Sequence, residues 1–486
     1  MSTTPKSTRE PRPSGTKDEE QNAYHVEVSP GRRRLVNLLA LAGILTSLVA
    51  GFFVEAPTVW GLIIPIVMYF VLTLLGMDLL VATIAVLLSA VLLAQSTPAE
   101  IGDLLGTATA DLVTIIGFII VLGAGVGEVL RRTGVADTIV RSTIRVVGEN
   151  SPWRMQLGIM LACLILVASL GTLAGALAIA APILIPVAAR IGFTRSATAL
   201  MMFIGGAAGL AVAPFAGSNV AILEAADIDY LTYLKTVAGP LAVLSVVLGM
   251  ALIPWIQRRS KRENDFYTAE ETADDGAASP RTAKQATAVF LVLLVALVVY
   301  ATWTKAGTNF PLLALPLLAI ATGFAGRLKV ADIVSTFFKG ASKLLSMLVL
   351  FWLLAAVFLA VDALKPYDVI LATYGDKLGH MSALPFAIVI ALLGWVGVPG
   401  ATAAQVVLLD KVFGGVAATL GIAAPAWAIV LLWSSKGDTY GPMPNANMVG
   451  AMGLARSTNL RNLLLPSWVI IGGACVMYAV LLVILT

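Results

Sequence analysis

Two stretches of this chain, Leu112 to Leu130 and Ser467 to Thr486, stay predominantly apolar for the length a helix needs to cross a bilayer. A hydrocarbon core ~30 Å thick takes about 20 residues at the rise of an α-helix. Lipid offers no partner to a free backbone N–H or C=O, so a spanning segment must satisfy its own hydrogen bonds. Segments of this length do so as helices, whereas barrel strands are half as long and alternate in polarity. Composition agrees: 58% of the 486 residues are hydrophobic and 12% are charged, against about 25% charged in soluble domains. An ordinary soluble enzyme is excluded.

Positive charge orders the spans. Arg32, Arg33 and Arg34 precede the first apolar run and place the N-terminus in the cytoplasm by the positive-inside rule. Spans are predicted near 35–54, 59–75, 79–95 and 112–130, returning the chain to the cytoplasm at Arg131 and Arg132, with Arg141, Arg145 and Arg154 in the following loop. Further spans near 155–173, 176–190, 197–213 and 237–256 lead back to Arg258, Arg259, Lys261 and Arg262. The second half offers spans near 286–304, 309–326, 341–361, 384–399, 400–412, 418–434 and 465–486, with Arg327, Lys329, Lys339 and Lys343 in a cytoplasmic loop. Several are short and carry Gly or Pro, so re-entrant hairpins compete with full crossings, and the expected number is about 11–15.

The chain divides accordingly: a disordered cytoplasmic tail over 1–31, a first transmembrane repeat over 32–256, a polar cytoplasmic linker over 257–285 and a second repeat over 286–486. The tail lacks the apolar core of a cleaved signal. The expected location is the inner (plasma) membrane of a bacterium.

Polar chemistry is sparse. Cys163 and Cys475 lie inside apolar segments, in neither a metal-ligand nor a disulfide pattern. His25 and His380 are the only histidines and both fall in polar segments, so no imidazole-based catalytic or metal centre is expected. No nucleophile with its base, no cofactor motif and no clustered basic face for nucleic acid is visible, which leaves a membrane enzyme or receptor without a site. The identity of any bound metal ion stays open.

The two halves share a pattern. Gly209-Leu-Ala-Val-Ala-Pro214-Phe-Ala-Gly217-Ser218-Asn219 and Gly437-Asp-Thr-Tyr-Gly-Pro442-Met-Pro-Asn445-Ala-Asn447 place Gly, Pro and Asn at the same spacing. Upstream of each stands a second interruption, Ser169-Leu-Gly171-Thr172 in one half and Val398-Pro399-Gly400-Ala-Thr402 in the other. The expected architecture is an all-α polytopic membrane protein of two repeats, each with a re-entrant hairpin and a broken helix. Seven crossings in the second half, an odd number, would invert one copy relative to the other.

A break at membrane depth frees backbone groups that need protein, water or a ligand. Half-helix N-termini attract anions, and exposed carbonyls hold cations. Gly171, Thr172, Gly217, Ser218 and Asn219, with Thr402, Asn445 and Asn447, are therefore candidate solute contacts; the alternative is that the small residues serve helix packing. Lys436 and Asp438 are candidates for a coupling ion or proton, or alternatively an ion pair at a water interface. Asp111, Glu128, Asp362, Lys365, Asp410 and Lys411 fall near helix ends, where snorkelling reaches the headgroups. Glu224, Asp227 and Asp229 are read as a solvated loop, with a gate or cation ligand among them as the alternative.

These residues resemble the ion transporter superfamily, in particular the branch of gluconate permeases, anaerobic C4-dicarboxylate carriers and one class of sodium/proton antiporters. Ile116 to Leu130, followed by Thr133-Gly134-Val-Ala-Asp137, is similar to the segment before the first hairpin of gluconate-type permeases. Pro214 to Asn219 and then Asp227-Ile-Asp229-Tyr-Leu-Thr-Tyr is similar to the polar break and acidic helix of the dicarboxylate and antiporter members. The resemblance implies two hairpins, two unwound helices and a homodimer. It carries over to Gly171, Thr172, Ser218 and Asn219 and, through the internal repeat, to Thr402, Asn445 and Asn447. The expected function is H⁺- or Na⁺-coupled symport of a small organic anion, a carboxylate or sugar acid, with a sodium/proton antiporter dependent on Asp438 as the alternative.

Overall fold

In the computed structural model, the residues described are 30–148, 151–268, 280–366, 369, 372–373, 382–396, 402–441 and 444–485. The tail over 1–29, most of the linker's acidic stretch, His380, Pro399, Gly400, Pro442 and Met443 lie outside them. Every regular element among the described residues is helical. Among the described residues, nine helices are long and apolar enough to span a bilayer, and five more apolar helices are shorter.

The first half contains α1 (Pro30–Gly51), α2 (Trp60–Leu74), α3 (Leu79–Leu93), α4 (Pro98–Ala108), α5 (Leu112–Arg132), α6 (Val135–Val147), α7 (Pro152–Leu170), α8 (Leu173–Arg190), α9 (Arg195–Val212) and α10 (Gly217–Ala225). It closes with α11 (Tyr230–Arg262), which carries a π-helical turn at Leu234–Ala238. The second half contains α12 (Ala283–Thr304), α13 (Phe310–Ala325), α14 (Val330–Ala341), α15 (Leu345–Asp362), α16 (Ala383–Leu393), α17 (Thr402–Thr419), α18 (Ala424–Ser435), α19 (Gly437–Tyr440), α20 (Ala446–Leu454) and α21 (Arg461–Leu485).

Three helices replace expected loops. Residues 135–147 carry Arg141 and Arg145, yet Val135, Ala136, Ile139, Val140 and Ile144 fall on one helical face and are buried. In α14, Ile333, Thr336 and Gly340 pack inward while Lys329, Lys339 and Lys343 stay in the solvated set. Helix α4 begins in a capping box, where Thr97 and Glu100 satisfy each other's backbone amides. Summed charge hid the periodicity of these segments.

The core is centred on α7, α9 and α11, which pack on one another, while α5 packs against α13, α14 and α15 of the second half. Small residues allow these approaches: a Cβ on Gly249 of α11 would meet Ile204 Cγ2 of α9 at 3.1 Å, and one on Gly206 would meet Leu173 Cδ1 at 3.2 Å. Without a hydrophobic drive between helices in lipid, such close packing is the main cohesive force. Exposed Leu38, Val292, Val295, Val476 and Val483 form the outer face of α1, α12 and α21, the surface expected against acyl chains.

Candidate functional site

Both interruptions of the first half are breaks in helix, and they touch. Helix α7 stops at Gly171, whose φ of +69° lets its amide turn back to Val167 O at 2.8 Å. Thr172 is extended (φ −135°), and α8 starts anew after it. Helix α9 ends at Val212 and α10 begins at Gly217. A Cβ on Gly171 would stand 3.3 Å from Ala216 Cα and N and from Phe215 O, so only glycine permits the two breaks to lie together. Gly217 plays a second such part, since a Cβ there would come within 2.9 Å of Ile120 and 3.0 Å of Ile116 on α5.

The two polar ends of the α9–α10 break are treated differently. Side chains take up four of the carbonyls at the end of α9, those of Leu210, Ala211, Val212 and Ala213. Asn219 Nδ2 donates to Leu210 O (2.8 Å), Ala211 O (3.0 Å) and Ala213 O (2.8 Å). Tyr230 donates to Val212 O at 2.6 Å and Tyr233 to Ala211 O at 2.9 Å. Asn219 is wholly buried and acts as a clasp across the break. The amide end is different: Ala216 and Thr172, at the N-cap positions of α10 and α8, supply no side-chain cap. Ser218 lies beside the clasp, its hydroxyl 3.4 Å from Asn219 Oδ1. Side-chain donors cover the carbonyl end and no side chain caps the amide end, a polarity that favours an anion.

The second half repeats the contact between breaks with other residues. After α16 comes a 3-10 turn at Gly394–Val396, and α17 begins at Thr402, which is partly exposed. Gln405 Nε2 donates to Gly394 O at 2.5 Å and to Ser434 O at 3.1 Å, tying the hairpin to the end of α18. Trp395 Nε1 donates to Trp433 O at 3.3 Å. A Cβ on Gly437 would lie 3.0 Å from Trp395 Cα, so glycine again permits the approach.

Asn445 bridges the gap between α19 and α20. Its Nδ2 donates to Thr439 O at 2.9 Å and its Oδ1 caps Met448 N at 2.9 Å. The sequence pattern pairs Asn219 with Asn447, but Asn445 makes the bond that matches the Asn219 clasp, two positions earlier. Asn447 sits partly exposed in the first turn of α20. Lys436 is 2% exposed at the end of α18. Asp438 belongs to α19, and its side chain lies outside the described residues. The Thr439 hydroxyl is buried without a hydrogen-bond partner among the described residues.

The halves also interlock. Helix α10 packs on α17 and α18, and α20 packs on α8 and α9, so each half-helix after a break leans on the hairpin and broken helix of the other half. Gln405, Tyr230, Tyr233 and Thr439 were not singled out from sequence. A lone Gln inside an apolar run, at Gln405, was the one legible signal.

Comparison with known proteins follows this geometry. The DcuC family model, described as "C4-dicarboxylate anaerobic carrier", matches residues 97–484. Among curated proteins none matches. Among solved structures, the chain is similar to the YdaH transporter of Alcanivorax borkumensis, described as having an unusual topology, at 15% identity and a TM-score of 0.57 over 93% of this chain and 98% of that one. It is also similar to MtrF of Neisseria gonorrhoeae, described within a class of antimetabolite efflux pumps, at 13% identity and a TM-score of 0.41 over 78% of this chain and 82% of that one.

Proposed function

Because this chain belongs to the C4-dicarboxylate anaerobic carrier family, we propose that it moves a small organic dianion of the C4-dicarboxylate class across the membrane by alternating access. The observation that carries this reading is the unequal treatment of the first break. Asn219, Tyr230 and Tyr233 consume the carbonyls of α9, while the first amides of α8 and α10 are left without side-chain caps. A carboxylate bound there gains the N-terminal dipoles and meets no competing carbonyl field. Gly171, Thr172, Gly217 and Ser218 are the contacts on this side, and Thr402, Asn445 and Asn447 on the other; a dianion would be held by one carboxylate at each.

Asn219 keeps its place in the site as the residue that shapes it, through the backbone. Lys436 and Asp438 are the candidates for coupling to H⁺ or Na⁺, because an ionisable pair beside a helix break can change its net charge as the solute binds. The reciprocal packing of α10 and α20 on the opposite half supports an inverted repeat. The arginine clusters support a cytoplasmic N-terminus in the inner (plasma) membrane, and the family resemblance favours a homodimer.

Uptake of labelled C4-dicarboxylates, monocarboxylates and sugar acids into proteoliposomes under imposed pH or Na⁺ gradients tests the proposal. Gradient-driven accumulation of the dicarboxylate is expected, with Ser218→Ala and Thr402→Val raising KM about tenfold, the loss of one hydrogen bond to a charged group. If no carboxylate accumulates while Na⁺ and H⁺ exchange, and Asp438→Asn abolishes that exchange, the antiporter reading replaces this one.

A further inference from the structure

Helices α6 and α12 meet at one end and part along their length. At the meeting point Gly134 (φ +74°) abuts the start of α12, where a Cβ would stand 2.8 Å from Pro280 Cδ and 3.1 Å from Ala283 Cβ. Beyond it the helices enclose an open cleft of about 380 Å³, with Ile165 of α7 and Leu291 of α12 among its apolar walls. The cleft is on the side of Arg131 and Arg132, the face that positive charge assigns to the cytoplasm.

Three of its polar side chains spend their hydroxyl hydrogens on their own helices. Thr138, Thr143 and Thr287 donate their hydroxyl hydrogens to Gly134 O (2.8 Å), Ile139 O (2.8 Å) and Ala283 O (2.7 Å). These three hydroxyls can therefore only accept from an occupant, while Ser142 on the same wall can accept or donate. Lys284, exposed on the same wall, supplies the positive charge. Arg281, three residues before it, and Arg141 and Arg145 on α6 are exposed as well, and Asp137 on α6 is half-buried. An occupant must carry an anion for Lys284, hydroxyl donors for the threonines and an apolar body for Ile165 and Leu291.

We propose that this cleft binds an anionic phospholipid with a hydroxylated headgroup, of the phosphatidylglycerol type, from the cytoplasmic leaflet. The phosphodiester pairs with Lys284, the headgroup hydroxyls donate to the threonines, and an acyl chain follows the apolar wall. Anionic leaflets concentrate such lipids at basic juxtamembrane surfaces. Bound there, the lipid bridges α6 of the first half and α12 of the second.

The test is independent of transport. The full chain is extracted from vesicles holding equal phosphatidylglycerol, phosphatidylethanolamine and phosphatidylcholine, and retained lipid is read by mass spectrometry of the intact protein. Preferential retention of phosphatidylglycerol is expected, reduced about tenfold in Lys284→Gln, the loss of one charge-assisted contact. Ala288→Trp, which fills the cleft without removing charge, should reduce it similarly, and Lys305→Gln at the far end of α12 should leave it unchanged. Equal retention of the three lipids, preference for phosphatidylethanolamine, or retention unaltered in both cleft variants would overturn the proposal.

Discussion

Glu128 of α5 and Lys343 of the turn between α14 and α15, 215 residues apart, meet at 3.2 Å. The carboxylate is 6% exposed, with Arg131 bonded to it and Lys339 Nζ at 3.9 Å, while all three cations remain more than half exposed. Sequence position placed Glu128 at a helix end that snorkels outward. In the fold the long basic side chains reach inward to it instead, because Gly125 and Gly340 bring α5 and α14 too close for the shorter carboxylate to leave.

That pairing joins the two halves of the chain, so it should couple them energetically. In a double-mutant cycle of Glu128→Gln and Lys343→Met, read by thermal unfolding in detergent, a coupling of about 1–2 kcal/mol is expected. The exposed ammonium keeps it below the value for a fully buried pair, and high salt should weaken it. Strict additivity of the two variants would show that the Glu128–Lys343 contact does not join the halves.

Asn219→Ala removes the side-chain donor from the carbonyls of Leu210 and Ala213 together, and leaves Ala211 O to Tyr233 alone. Each buried acceptor left without a donor costs about 1–3 kcal/mol, so the variant should unfold at lower temperature and lose uptake of every substrate alike. A variant of full stability with altered substrate preference would instead make Asn219 a direct solute contact.

Gly171 and Gly192 both hold left-handed backbone, at φ +69° and +86°, but only Gly171 has backbone within van der Waals reach of an added Cβ. Alanine at Gly192 should therefore cost the conformational strain alone, about 1–2 kcal/mol. Gly171→Ala should cost more and should abolish uptake, since the hairpin must move off the α9–α10 break. Equal melting points and equal uptake for the two variants would show that the contact of the breaks is slack.

Asp229 begins α11 by accepting hydrogen bonds from Leu231 N and Thr232 N. The Thr232 hydroxyl, more than the two amides, holds its carboxyl below the usual carboxylate range, and slight burial opposes this. The stabilisation of a carboxyl lowered by folding is present above its unfolded pKa and is lost as pH falls through the folded one. Asp229→Ala should cost about 1 kcal/mol at neutral pH, the value of an N-cap. The difference from wild type should be full above pH ~4, fade below it, and vanish once the pH is under the lowered pKa of the folded carboxyl. A difference that persists in acid would assign the loss to packing.

Helix type and approximate position were legible wherever a run was apolar throughout, as from Leu112 or from Arg461, because burial in lipid demands that composition and the helix follows from backbone hydrogen bonding. Amphipathic helices α6 and α14 were not, because their charges, read as loop markers, alternate with an apolar face of only a few residues. The breaks were legible as Gly, Pro and Asn in apolar surroundings.

What the chain chemistry alone determined is therefore a many-helix membrane protein with matched interruptions, since the cost of unsatisfied backbone in hydrocarbon leaves few alternatives. The tertiary structure decided which amide closes each break. Asn219 and Asn445 do so rather than Asn219 and Asn447, because a hydrogen bond depends on where the severed helix end points, and spacing along the chain does not record that direction. It also decided that Gln405, Tyr230 and Tyr233 bond to the broken ends, since each arrives from a helix packed against the break and none lies within the Gly-Pro-Asn pattern.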